Sequence, residues 1–182
     1  MMAHFETKLT SDVLFEGRVV RLTKDTVQLE NGKTSTREVV HHNGGAAVIA
    51  MTDDHEIYLV RQYRYALGEE LLEVPAGKLE KGEDPFVAAK RELSEETGLS
   101  AEDYVDLGYI IPTCGYCTEK IYLYAAKGLT QDAQHLDADE FVSTVKMPRA
   151  EAVQKVMLNE IRDAKTAVAV LKLEALCRAG LF

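Results

Sequence analysis

Residues 77–99 read GKLEKGEDPFVAAKRELSEETGL, and this run restricts the chain more than any other. Asp84 before Pro85 predicts a helix start, because the aspartate accepts orphan N–H groups and a proline at the first helical position gives up no hydrogen bond. Gly98 predicts the stop, since glycine takes the left-handed conformation at low cost. The expected helix therefore runs over 85–97. On it, Glu92, Glu95 and Glu96 stand at i, i+3 and i+4, so all three carboxylates share one face. Like charges on adjacent turns repel, and near the helix end the macrodipole disfavours anions as well. A bound cation would relieve both effects. Hard oxygen donors with no Cys or His nearby suit magnesium or manganese rather than zinc. Phe86 and Leu93 are expected to anchor the helix, and Ala88 and Ala89 to leave room on the acidic side for a substrate. An acidic run is more commonly just a solvated face. That reading leaves Gly77, Glu83, Arg91 and Gly98 at these spacings unaccounted for.

The stretch resembles the Nudix box, G-x5-E-x7-R-E-U-x-E-E-x-G-U with U a bulky apolar residue, and Gly77, Glu83, Arg91, Glu92, Leu93, Glu95, Glu96, Gly98 and Leu99 meet every position. The resemblance implies an α/β fold, the Nudix α/β/α sandwich, holding a divalent metal against a diphosphate joined to another moiety. It makes Glu92 and Glu96 metal ligands, with Glu95 a ligand or water-activating group and the Ala76 carbonyl completing the site. Arg91 and Glu83 are expected to brace the loop by charge-assisted hydrogen bonds.

Composition narrows the remaining classes. The chain has 182 residues, 46% of them hydrophobic, enough for one domain with a small appendage. MMAHFETKL lacks an apolar signal core and no stretch reaches a membrane span, so a cytoplasmic enzyme with no membrane partner is expected. A net charge of −9 argues against a nucleic-acid duplex as partner. The three cysteines, Cys114, Cys117 and Cys177, do not make a disulfide scaffold. Cys114-Gly-Tyr-Cys117 has C-x-x-C spacing, but it precedes the strand-like TEKIYLYAA rather than a helix, and no second Cys or His pair is spaced to complete a zinc site.

Along the chain, residues 13–42 alternate apolar and polar about Asn31-Gly32, a type I′ turn signal, and read as a small antiparallel sheet that cannot bury its own face. Asn43-Gly44-Gly45 breaks the pattern. The expected division is an N-terminal β unit over 1–43 and the main domain over 44–182. Strands are expected at 46–51, 56–65, 104–111, 119–126 and 140–147, and helices at 148–158 and 163–178.

This layout, with Arg61-Gln62-Tyr63-Arg64 and the LLEVPAG run entering the box, resembles the ADP-ribose pyrophosphatase branch. That resemblance implies a homodimer through the N-terminal β unit, with a pocket drawing on both chains. Arg37 and Glu38 match a pair that touches the nucleoside end, Arg64 an arginine that reaches the diphosphate, and Glu73 an acid close to the metals. Gly115 and Glu119 match a substrate loop in which Cys114 replaces the proline usual for ADP-ribose, so GDP-mannose, other nucleotide sugars and dinucleotides stay open. General-base candidates are Asp137, Asp139 and Glu140 in HLDADEF. A non-catalytic ligand-sensing module is the alternative of a different class; the intact box speaks against it.

Overall fold

A computed structural model describes residues 4–136 and 141–182. The elements run β1 (Thr7–Glu16), β2 (Arg21–Gln28), β3 (Thr34–His41), β4 (Gly45–Met51), β5 (Glu56–Arg64), β6 (Glu69–Glu73), β7 (Ala76–Lys78), α1 (Pro85–Thr97), β8 (Leu99–Ile110), β9 (Ile121–Gln131), β10 (Val142–Pro148), α2 (Arg149–Met157) and α3 (Ala164–Arg178). They form two compact units, Met1–Gly44 with Ile111–Lys120, and Gly45–Ile110 with Ile121–Phe182. Among the described residues no helix is long and apolar enough to cross a membrane.

The first unit is the antiparallel sheet β1-β2-β3. It begins six residues earlier than the apolar alternation suggests, because Thr7, Lys8, Thr10, Ser11 and Asp12 pair with β2 through polar, exposed positions. The Asn31-Gly32 turn is not type I′. Gly32 alone has positive φ, at 79°, while its N–H donates to the Leu29 carbonyl (2.9 Å) and Leu29 N–H to the Lys33 carbonyl (2.8 Å). This is a three-residue loop in which a type I turn is followed by a left-handed glycine. The segment 111–120 joins the unit through Val40 N–H to the Tyr116 carbonyl (2.8 Å) and Thr118 N–H to the Val40 carbonyl (2.9 Å).

The second unit is a mixed sheet ordered β10-β5-β4-β9-β8, with β6 on β5 and β7 on β4. β4 pairs parallel to β9, and all seven of its residues are buried. A strand covered on both faces has no solvent side on which to place polar residues, which is why AAVIAM does not alternate. Ala46, Val48 and Ala50 face a cluster with Ala88, Ala89 and Leu93 of α1; Ala47, Ile49 and Met51 face Ala152 of α2 and Ala169, Val170 and Leu173 of α3. The result is the α/β/α sandwich. β8 starts directly after Gly98, five residues before the start expected at 104. It is an edge strand paired only to β9, so Glu102 and Asp103 can point to water.

Candidate active site

α1 follows its sequence closely. Asp84 Oδ1 accepts from Phe86 N–H (2.8 Å) and Val87 N–H (3.2 Å), and Gly98 closes the helix at φ 69° with its N–H on the Ser94 carbonyl (2.8 Å). Phe86 packs edge-on to Tyr104 and Leu93 is fully buried. Ala88 and Ala89 do not make room for a substrate. Both are wholly buried against β4, because the acidic face and the core-facing stripe meet along this line of the helix.

The three box acids diverge in environment. Glu92 and Glu96 are 7% and 2% exposed, whereas the Glu95 side chain is 39% exposed. Glu96 Oε2 accepts from Ala76 N–H at 2.9 Å. Glu92 lies so close to Gly77 that a Cβ on that glycine would sit 1.8 Å from Oε1. Pairing of Ala46 with Gly77 and Ala47 with Ala76 holds this backbone on β4. The box glycine is thus the place where a strand touches a buried carboxylate.

Part of the like-charge repulsion is relieved by the protein itself. Arg91 Nη1 donates to Glu92 Oε1 (2.8 Å) and Glu95 Oε2 (2.9 Å), while its Nε and Nη2 reach both oxygens of Glu83 (3.2 and 3.3 Å). Glu83 Oε2 also accepts from Glu80 N–H (2.9 Å), which folds the loop back on itself. Burial alone would lower the Arg91 pKa, but the Glu83 hydrogen bonds, the charge of Glu92 and the Glu95 hydrogen bond raise it above its ordinary value. In turn the Arg91 hydrogen bonds hold the Glu83 carboxyl below the usual range.

A second ionic group flanks the first. Glu73, 1% exposed, receives Arg64 Nε on Oε1 (2.6 Å), Arg64 Nη2 on Oε2 (2.7 Å) and Lys165 Nζ on Oε2. Burial would raise the Glu73 pKa, yet the Arg64 hydrogen bonds and the Lys165 charge outweigh it and leave the carboxyl below its ordinary value. Glu73 is therefore occupied by two cations. Sequence reasoning passed over Lys165; the available signal was Asp163-Ala-Lys165-Thr166 opening the last helix.

Residues 131–135 dock on the end of α1. Asp132 N–H donates to the Gly98 carbonyl (2.6 Å), His135 N–H to the Glu95 carbonyl (3.1 Å), and the Gln131 and Gln134 side chains reach the Thr97, Gly98 and Glu96 carbonyls. These bonds cap the orphan carbonyls of the helix. Asp137, Asp139 and Glu140 lie outside the described residues.

Arg37, Glu38, Gly115 and Glu119 all belong to the first unit. Arg37 is engaged by Glu6, with Nε to Oε2 at 2.9 Å and Nη2 to Oε1. Glu38 stands exposed opposite Lys24. Glu119 Oε1 lies 3.4 Å from His42 Nδ1, and Gly115 sits in the exposed 112–116 turn beside free Cys114 and Cys117.

Among the described residues no three His, Cys, Asp or Glu side chains already converge as a metal cage. The donor chemistry nevertheless fits a hard divalent cation: two carboxylates one helical turn apart, withdrawn from water, with a strand backbone laid against them.

Comparison with known proteins identifies the family. Residues 41–168 match the NUDIX domain, and residues 6–40 match the nucleoside diphosphate sugar hydrolase N-terminal domain. The chain is 47% identical over 173 residues to a methanol dehydrogenase activator of Bacillus methanolicus, covering 93% of this chain and 94% of that one. It is 39% identical over 171 residues to an ADP-ribose pyrophosphatase of Bacillus subtilis (strain 168), covering 93% and 92%. The crystal structure of an ADP compounds hydrolase superposes with a TM-score of 0.85 over the full length of both chains at 22% identity, a likeness of fold. With an unbroken box on a helix of the α/β/α sandwich and a family match over more than two thirds of its length, the chain belongs to the Nudix family.

Proposed function

We propose that this Nudix hydrolase cleaves ADP-ribose to AMP and ribose 5-phosphate with Mg2+. The observation that carries the reading is the contact of Ala76 and Gly77 with buried Glu96 and Glu92, which holds two hard carboxylate donors of the helix against a strand backbone. Glu92 and Glu96 would hold the cation, with Ala76 and Glu95 adjoining. Once bound, the cation supplies charge neutralisation for the diphosphate and a more acidic water. Arg64 takes the diphosphate on the edge that Glu73 leaves open, Arg37 and Glu38 the nucleoside, Gly115 and Glu119 the substrate loop, and Asp137, Asp139 or Glu140 the proton. Relatives named ADP-ribose pyrophosphatase at 39% and 38% identity over more than nine-tenths of this chain support this substrate over GDP-mannose, whose pyrophosphatases match at 31–32% over 72–76% of it.

Residues 1–43 serve, in this reading, as a dimerisation and substrate-contact unit ahead of a hydrolase domain at 44–182. β1 supports it: every residue of this edge strand is exposed, including Leu9, Val13, Leu14 and Phe15 at 49–57%. A long apolar strand edge is a template for a second chain. Incubating the purified protein and Mg2+ with ADP-ribose or GDP-mannose, and identifying products by chromatography, tests the assignment. AMP and ribose 5-phosphate are expected; a tenfold preference for GDP-mannose would overturn it. The 47% identical relative favours a second reading, in which a dehydrogenase is the protein's target. Following methanol oxidation by methanol dehydrogenase with and without the protein decides that.

A further inference from the structure

Lys165 is placed against two physical penalties. It is 8% exposed, and it lies in the first turn of α3, where the macrodipole disfavours a cation. Its neighbours offset both: Nζ donates to Glu73 Oε2 and lies 3.0 Å from Asp163 Oδ2. Asp163 is also the helix cap, accepting from Thr166 N–H (2.9 Å) and Thr166 Oγ1 (2.6 Å), and Thr166 Oγ1 accepts from Val74 N–H (2.8 Å). The first turn of α3 thus grips two consecutive residues, Glu73 at the end of β6 by its side chain and Val74 just beyond it by its backbone. Two residues further on, Ala76 and Gly77 meet Glu96 and Glu92.

Charge is the second consequence. Arg64 and Glu73 alone would form a neutral pair with little attraction for an anion. Lys165 takes up part of the Glu73 charge, and Asp163 is met by Thr166 and by the helix N-terminus. Among the described residues Arg64, with its side chain 39% exposed, is bound through Nε and Nη2 only, which leaves Nη1 for use outside the pair. We propose that Lys165 is a positioning residue that, by sharing the Glu73 carboxylate, keeps Arg64 aimed and its charge only partly taken up, so that its outer edge binds the diphosphate of the substrate; this rests on the hydrolase reading above.

ADP binding measured by calorimetry with Mg2+ isolates the effect from turnover. Lys165→Gln is expected to weaken ADP about tenfold, Arg64→Met at least as much, and the double variant no more than Arg64→Met alone. Lys165→Arg, which keeps the charge, recovers most of the loss. Glu73→Gln with Lys165→Gln removes one charge of each sign and also recovers part of it, which keeps the test available if Lys165→Gln alone does not fold. Additive losses, undiminished affinity in Lys165→Gln, or a wild type that binds no ADP would overturn the proposal. Tight, coupled ADP binding in a protein that cleaves no diphosphate would instead sink the hydrolase reading and leave Lys165 in place.

Discussion

Gly77→Ala tests the site at its tightest point. The new Cβ would fall 1.8 Å from Glu92 Oε1, 2.2 Å from its Cδ and 2.5 Å from its Oε2. That is about 1.6 Å short of ordinary contact, so something must move by more than an atomic radius. β7 is held on β4 by register pairs on both sides of Gly77, so the carboxylate is the softer partner. Swinging it away breaks the Arg91 contact (2.8 Å) and carries Glu92 off the face it shares with Glu96. Overpacking of this kind costs about 1–3 kcal/mol, which for a chain of this size is a fall in Tm of roughly 2–12 °C. Misplacing a catalytic group by about 1 Å costs on the order of a hundredfold in rate, or about 2.7 kcal/mol in the barrier. The expected variant is therefore folded, with kcat/KM for ADP-ribose down about a hundredfold and a higher Mg2+ concentration at half-maximal rate. Thermal melts and Mg2+ titrations of initial rate measure both. Wild-type turnover at wild-type Mg2+ demand would show that Glu92 is not held in place by Gly77 and that the site lies elsewhere.

Three other outcomes are expected. Glu96→Gln keeps an acceptor for the Ala76 N–H but loses the charge, so turnover falls about a thousandfold or more with Tm little changed; a variant active at wild-type rate sinks the ligand assignment. The depressed Glu83 pKa means that the native state releases this proton more readily than the unfolded chain does, so the stability it brings is present above the ordinary carboxylate value of about 4.3 and is lost as pH falls through the lower native value. Glu83→Gln should melt lower at pH 7 and lose less on acidification to pH 3; parallel melting curves would refute the linkage. Sedimentation at micromolar concentration should show a dimer that Phe15→Glu on β1 dissociates, and a wild-type monomer removes the dimer from the account.

What could be read in the sequence was local. α1 carries its own cap, proline and terminal glycine, so its bounds follow from Asp84, Pro85 and Gly98 alone. The strand over 46–51 was legible from its unbroken apolar run, which needs no distant partner to be seen. Arg91 bracing Glu83 was also foreseeable, because their eight-residue separation lies within one loop and helix. What stayed hidden depended on partners far away in the chain. Arg64 could be read as a phosphate ligand, but its pairing to Glu73 and the link of Glu73 to Lys165, 92 residues on, needs the fold. Glu95 looked equivalent to Glu92 and Glu96 by spacing, yet three-dimensional packing leaves it half in water beside Arg91. The turn at Asn31-Gly32 was misread because dipeptide statistics do not reveal where strand pairing stops, and Leu29 and Lys33 continue it.

Gly98 meets two demands that are usually met by different residues. Its left-handed φ of 69° could be adopted by asparagine at modest cost. A Cβ there, however, would lie 2.5 Å from the Asp132 carbonyl oxygen, 2.9 Å from Gln134 N and 3.0 Å from Ala133 C, all backbone atoms that cannot step aside as a side chain would. Gly82, also at positive φ (82°), has open space around the same position. A library randomised at both sites and selected for folding should accept asparagine at 82 and return glycine alone at 98. Mutational tolerance in this chain is therefore set less by backbone angle than by what passes overhead.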